Sequence, residues 1–293
     1  MKNQENTIEI LKKLSKEEKM FKVGFVASFL LLFTSFIFLP NGGVLLSLLP
    51  LVSAFVCAVF SAKRKKEKKE AAKGLIQSVL VESIKITSYS PTAHIPVSAI
   101  NNTSLMPYWN EIEGGDLVQG IYKGVNMAFS DIHLKEVHSH RDSDGDSHTT
   151  RKTVFKGQWM VFELPKTIDK PLRVREKTGF GLIKHKSDIK TENESFNKKY
   201  QILTEDPHTA FYILTPHFME YIQSADFVAK GTSYLYFGGK YIHVAISNDR
   251  DLLELDGKFE NIEDVREKIR EEMKYLTDII DELLQNKYLF QGV

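Results

Sequence analysis

Apolar and charged positions divide the chain into three stretches of different character. Ile8, Leu11 and Leu14 recur at helical spacing among lysines. This predicts an amphipathic helix over residues 6–20, inside a cytoplasmic N-terminal segment 1–22 that could rest on an anionic lipid surface. No charged residue then stands between Lys22 and Lys63. As one helix that run would measure about 60 Å, twice the ~30 Å hydrocarbon core of a bilayer. Pro40-Asn41-Gly42-Gly43 interrupts it with a residue that cannot continue a helix and three that favour turns. The pattern therefore predicts a two-helix transmembrane hairpin over 23–62, with spans 23–39 and 44–62. A basic juxtamembrane linker over 63–74 follows it.

From residue 75 the pattern changes to that of a folded domain, 75–293. Leu75, Ile76, Val79 and Leu80 continue a helix that Tyr89-Ser90-Pro91 ends, because the residue before proline avoids the helical region. The text is loop-like to about Gly115. Residues 120–137 and 151–164 then read as two long strands joined by a polar loop, with weaker strands at 171–176 and 198–203. Residues 232–237 and 241–247 flank Gly238-Gly239-Lys240 as a hairpin. Pro207 and Pro216 open two helices. Ile262, Val265, Ile269, Met273, Leu276, Ile280 and Leu283 define a long amphipathic C-terminal helix with Asn261 as its N-cap. The predicted fold class is α+β: the N-terminal transmembrane hairpin, then a cytoplasmic domain with a mainly antiparallel sheet, inserted helices and that long helix.

Charge changes this picture only through its distribution. The net charge of +1 gives no reason to expect a nucleic-acid partner. The lysines before Lys22 and the basic cluster after Lys63 flank an uncharged turn, which places both termini on the cytoplasmic side of a multi-pass protein of the cell membrane, with the lipid bilayer as partner. Cys57 is the only cysteine, so one chain offers no disulfide.

The densest chemistry is His138-Ser139-His140-Arg141-Asp142-Ser143-Asp144-Gly145-Asp146-Ser147-His148. His138, His140, Asp142, Asp144, Asp146 and His148 are candidate metal ligands, since residues two apart in an extended chain point to one side. The segment fails as a calcium loop, because glycine falls at the fourth position and Thr153 replaces the terminal glutamate. A solvated hairpin loop between strands is the favoured account, since a metal would itself have to order so long a polar loop. Asp206, His208, His217 and Glu220 are candidates for a binding surface, with Asp206 also suited to cap the helix at Pro207. No phosphate-binding or hydrolase motif is present, no catalytic residue is assigned and no cofactor is implied.

Asp206-Pro207-His208-Thr209-Ala210-Phe211-Tyr212-Ile213-Leu214-Thr215-Pro216-His217-Phe218-Met219-Glu220 resembles the signature of the DUF3137 family of uncharacterised bacterial membrane proteins. Residues 115–120, 128–131, 154–157, 194–200 and 242–247 resemble that family's other blocks, in its order, so the likeness extends over about 75–255. Phe211 stands where an arginine is expected in many members. The resemblance implies a transmembrane hairpin and a cytoplasmic domain, with no activity attached, and a LemA-type membrane protein as a partner. Together these readings favour a membrane-tethered binding or scaffolding domain. The alternatives are a metal-dependent enzyme built on the His/Asp loop and a pleckstrin-homology-like lipid-sensing module.

Overall fold

The computed structural model of the chain describes residues 2–38, 44–141, 147–177, 188–229, 231–255, 259 and 261–290. It divides into two compact units, one of Met1–Val79 with Leu253–Arg270 and one of Leu80–Leu252 with Glu271–Val293.

In the first unit, α1 (Lys2–Phe38) and α2 (Val44–Ser83, which belongs here up to Val79) run antiparallel. Their contacts pair rising with falling numbers. Glu17 meets Arg64 at 2.8 Å, Phe21 stacks on Phe60 with centroids 5.3 Å apart, and the Ser28 and Ser53 hydroxyls lie 2.9 Å apart. Gly24 lets the backbones approach, since a Cβ there would stand 3.1 Å from the Cys57 sulfur. Ile8 and Leu11 are buried, as are Ala72, Leu75, Ile76 and Val79, so the N-terminal stripe is covered by protein. Beyond this contact, Phe25, Phe29, Leu30, Leu31 and Phe33 of α1 and Leu49, Leu51, Val52 and Phe55 of α2 are exposed.

Among the described residues no helix is long and apolar enough to cross a membrane. This finding overturns the transmembrane hairpin and, with it, the placement as a multi-pass protein of the cell membrane with both termini cytoplasmic. The expected N-terminal segment, spans and linker are not separate elements. The lysine-rich start and the uncharged residues share α1, whose uncharged part, 23–38, rises only about 24 Å against the ~30 Å needed. The basic cluster continues α2 without a break, and Pro50 lies inside that helix.

The second unit is α+β with a seven-stranded antiparallel sheet. β1 (Lys85–Ser90), β2 (Glu111–Tyr122), β3 (Val125–Arg141) and β4 (Ser147–Glu176) pair in succession, and β5 (Asp188–Ile189) pairs β6 (Tyr200–Leu203). β4 organises the whole. Its first half lies between β3 and β7 (Thr232–Ser247), and its second half between β6 and β7. The short α3 (Val97–Thr103) and α4 (Glu194–Lys199) sit in the connections, followed by α5 (Pro207–Ile213), α6 (Pro216–Ala229), α7 (Ile262–Gln285, which belongs here from Glu271) and α8 (Lys287–Phe290).

Four expectations for the sheet are corrected. The helix ends at Ser83, and residues 85–90 are strand. The run read as one strand over 120–137 turns back at Lys123-Gly124, where both residues have positive φ (47° and 84°), as a two-residue hairpin turn requires. Gly238-Gly239 is no turn. β7 runs on through it beside β4, pairing from Gly157↔Ser247 to Arg175↔Tyr234, and Gly239 (φ 56°) falls where the register shifts. The strands read at 151–164 and 171–176 are likewise one bent strand.

Side chains alternate across the sheet with period two. One face buries Ile132, Leu134, Phe155, Trp159 and Ala245 with Ile95, Ile100 and Leu105. On the other, Leu235, Val244 and Ile246 meet Phe218 and Ile222 of α6 and Ile279 and Leu283 of α7. The Ile279–Leu283 part of the α7 stripe is thus used against the chain's own sheet. Its start is as the sequence reads: Asn261 Oδ1 accepts from Glu263 N and Asp264 N, and Asp264 Oδ2 accepts in return from Asn261 N.

Candidate functional site

The signature segment and the end of α7 form a cleft of about 350 Å3, lined by Tyr212, Thr215, His217, Phe218, Glu282, Gln285, Asn286, Lys287 and Tyr288. Caps fix the segment's path. Asp206 accepts from His208 N at 3.1 Å, Thr209 N at 3.2 Å and Thr209 Oγ1 at 2.6 Å, so α5 starts at Pro207. The Thr209 hydroxyl and these amide hydrogens hold the Asp206 carboxyl below its ordinary range. Thr215 Oγ1 accepts from Phe218 N at 3.3 Å at the start of α6. The buried Asn286 joins the two walls: its Nδ2 donates to Ile213 O at 2.8 Å, and its Oδ1 accepts from Tyr288 N and Leu289 N.

Inside the cleft, Glu282 is a nearly buried carboxylate with two partners, His217 Nε2 at 3.0 Å and Gln285 Nε2 at 3.1 Å. Burial raises the pKa of the neighbouring Tyr221 phenol, and Glu282, Asp278 and Asp281 push it further in the same direction. Tyr212 and Tyr288 stack with centroids 5.2 Å apart and planes at 11°. Lys166 Nζ sits 3.3 Å over the Tyr288 ring, close enough for cation–π attraction. Phe211 and Tyr212 remain exposed at the edge of α5.

Of the four surface candidates, the structure brings only His217 to the cleft lining. Asp206 is a helix cap, while His208 and Glu220 are exposed and outside the lining. Glu282, Asn286 and Tyr288 were not singled out, because they follow a helical stripe that reads simply as core. A carboxylate among Ile279, Ile280 and Leu283 was the available signal. In the His/Asp segment, His138 is exposed with Nε2 2.9 Å from Glu136 Oε1, His148 is exposed, and His140 pairs with His148 across the β3–β4 ladder. Asp142, Asp144 and Asp146, and the side chain of His140, lie outside the described residues. Among the described residues no group of three His, Cys, Asp or Glu could hold a metal ion.

Chemically, a His–Glu pair can orient an imidazole. A nucleophile would have to lie within hydrogen-bond reach of that imidazole, whereas the one polar partner of His217 among the described residues is Glu282. The cleft presents aromatic faces, amide groups and cations instead.

Fold and cleft together define an α+β domain with a groove of small-ligand or peptide size. Residues 153–285 match the family described as protein of unknown function (DUF3137). The resemblance seen in the sequence thus holds over that stretch, which takes in the signature segment and α7 but not the blocks at 115–120 and 128–131. No curated protein matches the chain. Among solved structures, the mycobacterial trehalose monomycolate transport factor A, TtfA, aligns with 9% identity and a TM-score of 0.40, over 77% of this chain and 97% of that one. Likeness of that degree assigns neither fold nor role.

Proposed function

We propose that the second unit is a non-enzymatic binding domain whose cleft takes a segment of a protein partner. The observation that carries this reading is the cleft itself. The signature segment and α7–α8 build a groove with stacked, partly exposed tyrosines, a cation on one ring and a His–Glu pair. Exposed aromatics beside a groove are the residue types that dominate binding energy at interfaces. A photo-crosslinking amino acid at Tyr212 is expected to capture one defined partner in intact cells, a LemA-type protein being one identity the capture can report. Combining His217→Ala with Phe211→Ala should reduce capture roughly tenfold, as loss of about 1.4 kcal/mol implies, without changing the circular dichroism spectrum. Unchanged capture, together with turnover of a substrate by the purified chain, would replace this reading with an enzymatic one.

A second element of the reading concerns lipid. The exposed Phe25, Phe29, Leu30 and Phe33 on α1 and Leu49, Val52 and Phe55 on α2 support contact between this face and lipid acyl chains. Sedimentation with phosphatidylglycerol–phosphatidylcholine vesicles should carry the chain down, and Phe29→Glu with Phe55→Glu should leave most of it in the supernatant. Equal sedimentation of both forms sinks the lipid-contact idea and leaves the cleft untouched.

A further inference from the structure

Far along β4, Arg173 and Arg175 stand two residues apart, so their side chains leave the same face of the strand. Their cross-strand neighbours on β7 are Tyr236 and Tyr234. Each guanidinium reaches the end of α3: Arg173 Nε donates to Thr103 O at 2.6 Å, and Arg175 Nη2 donates to Ser104 O. These carbonyls carry the partial negative charge of the helix C-terminus, which explains why cations settle there.

Capping does not use up the pair. A guanidinium offers five N–H donors in a fixed fork, and each arginine spends one on a described acceptor. Arg173 also lies over the Tyr236 ring at 5.5 Å. Neither makes an ion pair with a described carboxylate. Asp188 is two strands away in the row through Leu203, and it accepts from Gln201. The Arg175 Nε–H is shielded from solvent and has no acceptor among the described residues. Burial and the neighbouring Arg173 both lower the Arg175 pKa, the direction expected of a cation held beside another without a counter-charge. Ser104, which caps α3 in the left-handed conformation (φ 50°), also lines a depression of about 230 Å3 with Asn101, Tyr108 and Trp109.

We infer that Arg173 and Arg175, at the C-terminal end of α3, form a binding site for a phosphate group, carried either by a free phosphate compound or by a phospholipid headgroup. The spare N–H donors of the two neighbouring forks can meet two phosphate oxygens, a kind of contact in which arginine exceeds lysine. Tyr108 and Trp109 offer the adjoining depression an aromatic wall for whatever the phosphate is attached to. The site is separate from the cleft at His217 and does not rest on the reading given for it.

The test uses the full-length chain and phenylglyoxal, which modifies accessible guanidinium groups, with mass spectrometry reporting each arginine. Inorganic phosphate and soluble dihexanoyl phosphatidic acid are compared with chloride at equal ionic strength. Protection of Arg173 and Arg175 by both phosphate compounds identifies the phosphate group itself as the determinant. Protection by phosphatidic acid alone identifies a headgroup held together with the adjoining depression. Protection by neither, or equally by chloride, overturns the site. Independently, Arg175→Gln should weaken phosphate binding roughly tenfold and Arg175→Lys less, as expected when a forked, charge-assisted contact is lost or replaced by a point charge. Undiminished binding by a folded Arg175→Gln chain overturns it too. Since Arg175 also caps α3, the protection experiment on the unmodified sequence decides the matter where that variant does not fold.

Discussion

Replacing Lys68 with Met is expected to destabilise the α1–α2 pair by about 3 kcal/mol, while replacing Lys68 and Glu18 together by Met should cost little or even stabilise it. The two side chains meet at 2.8 Å with only 6% and 5% of their surface exposed. Burial by itself would raise the Glu18 carboxyl. Hydrogen bonds from Lys22 and Lys68 outweigh that and hold it below its ordinary value. Removing Lys68 alone leaves a carboxylate that is only 5% exposed with Lys22 as its remaining partner. Lys22, at 2.7 Å but largely exposed, relieves only part of the loss, which sets the figure at the lower end of the ~3–5 kcal/mol range for broken buried pairs. Removing both charges abolishes the desolvation cost along with the attraction. The measurement is amide hydrogen exchange in α1 and α2, which isolates this unit from the sheet. Equal losses of protection in the single and double variants would show that the pair contributes attraction rather than compensation for burial.

What the sequence disclosed was local. The cap at Asn261, the cap at Asp206 and the periodic stripe of α7 each follow from a few neighbouring residues, and each stands in the structure as read. Where a choice depended on distant pairing, local signals misled. Gly238-Gly239 fits a hairpin turn and a strand bend equally well, and only the continuous ladder to β4 decides for the bend. Lys123-Gly124 lacks the asparagine or aspartate usual in such turns and passed unnoticed between apolar residues. The uncharged run after Lys22 has the composition of bilayer spans, yet its flanking lysines and glutamates continue the same helices, and their pairs tie α1 to α2. At the cleft, His217 was visible as a residue type. Its partner Glu282 and the Asn286 that joins the walls were not, because tertiary pairing between α6 and the end of α7 leaves no mark in local spacing.

Acidification from pH 7 to pH 5 is expected to cost the second unit about 2 kcal/mol through one histidine. His243 lies on β7, 4% exposed, where its Nδ1 accepts from Trp159 Nε1 at 3.1 Å and its ring meets Trp159 and Tyr236 edge to face. A nitrogen that accepts this bond cannot carry a proton, and the indole can only donate. Burial accordingly lowers the imidazole to about 4 from its ordinary 6.5. The sign follows from linkage: below 6.5 the unfolded chain binds a proton that the folded one refuses, so stability present at neutral pH falls away as pH drops. The loss levels off below about 4, at roughly 3 kcal/mol in all. Asp131 acts oppositely, because burial raises its carboxyl well above the ordinary range and favours the folded state in acid. The comparison must therefore be between unmodified chain and His243→Gln, in which an amide oxygen can still accept from Trp159 while nothing at that position titrates. Denaturant unfolding at pH 7 and pH 5, followed by tryptophan fluorescence, should show the gap between the two proteins narrowing by about 2 kcal/mol, with Asp131 cancelling between them. A gap independent of pH would mean that His243 takes up its proton when folded, and the Trp159 indole would then have to be donating elsewhere.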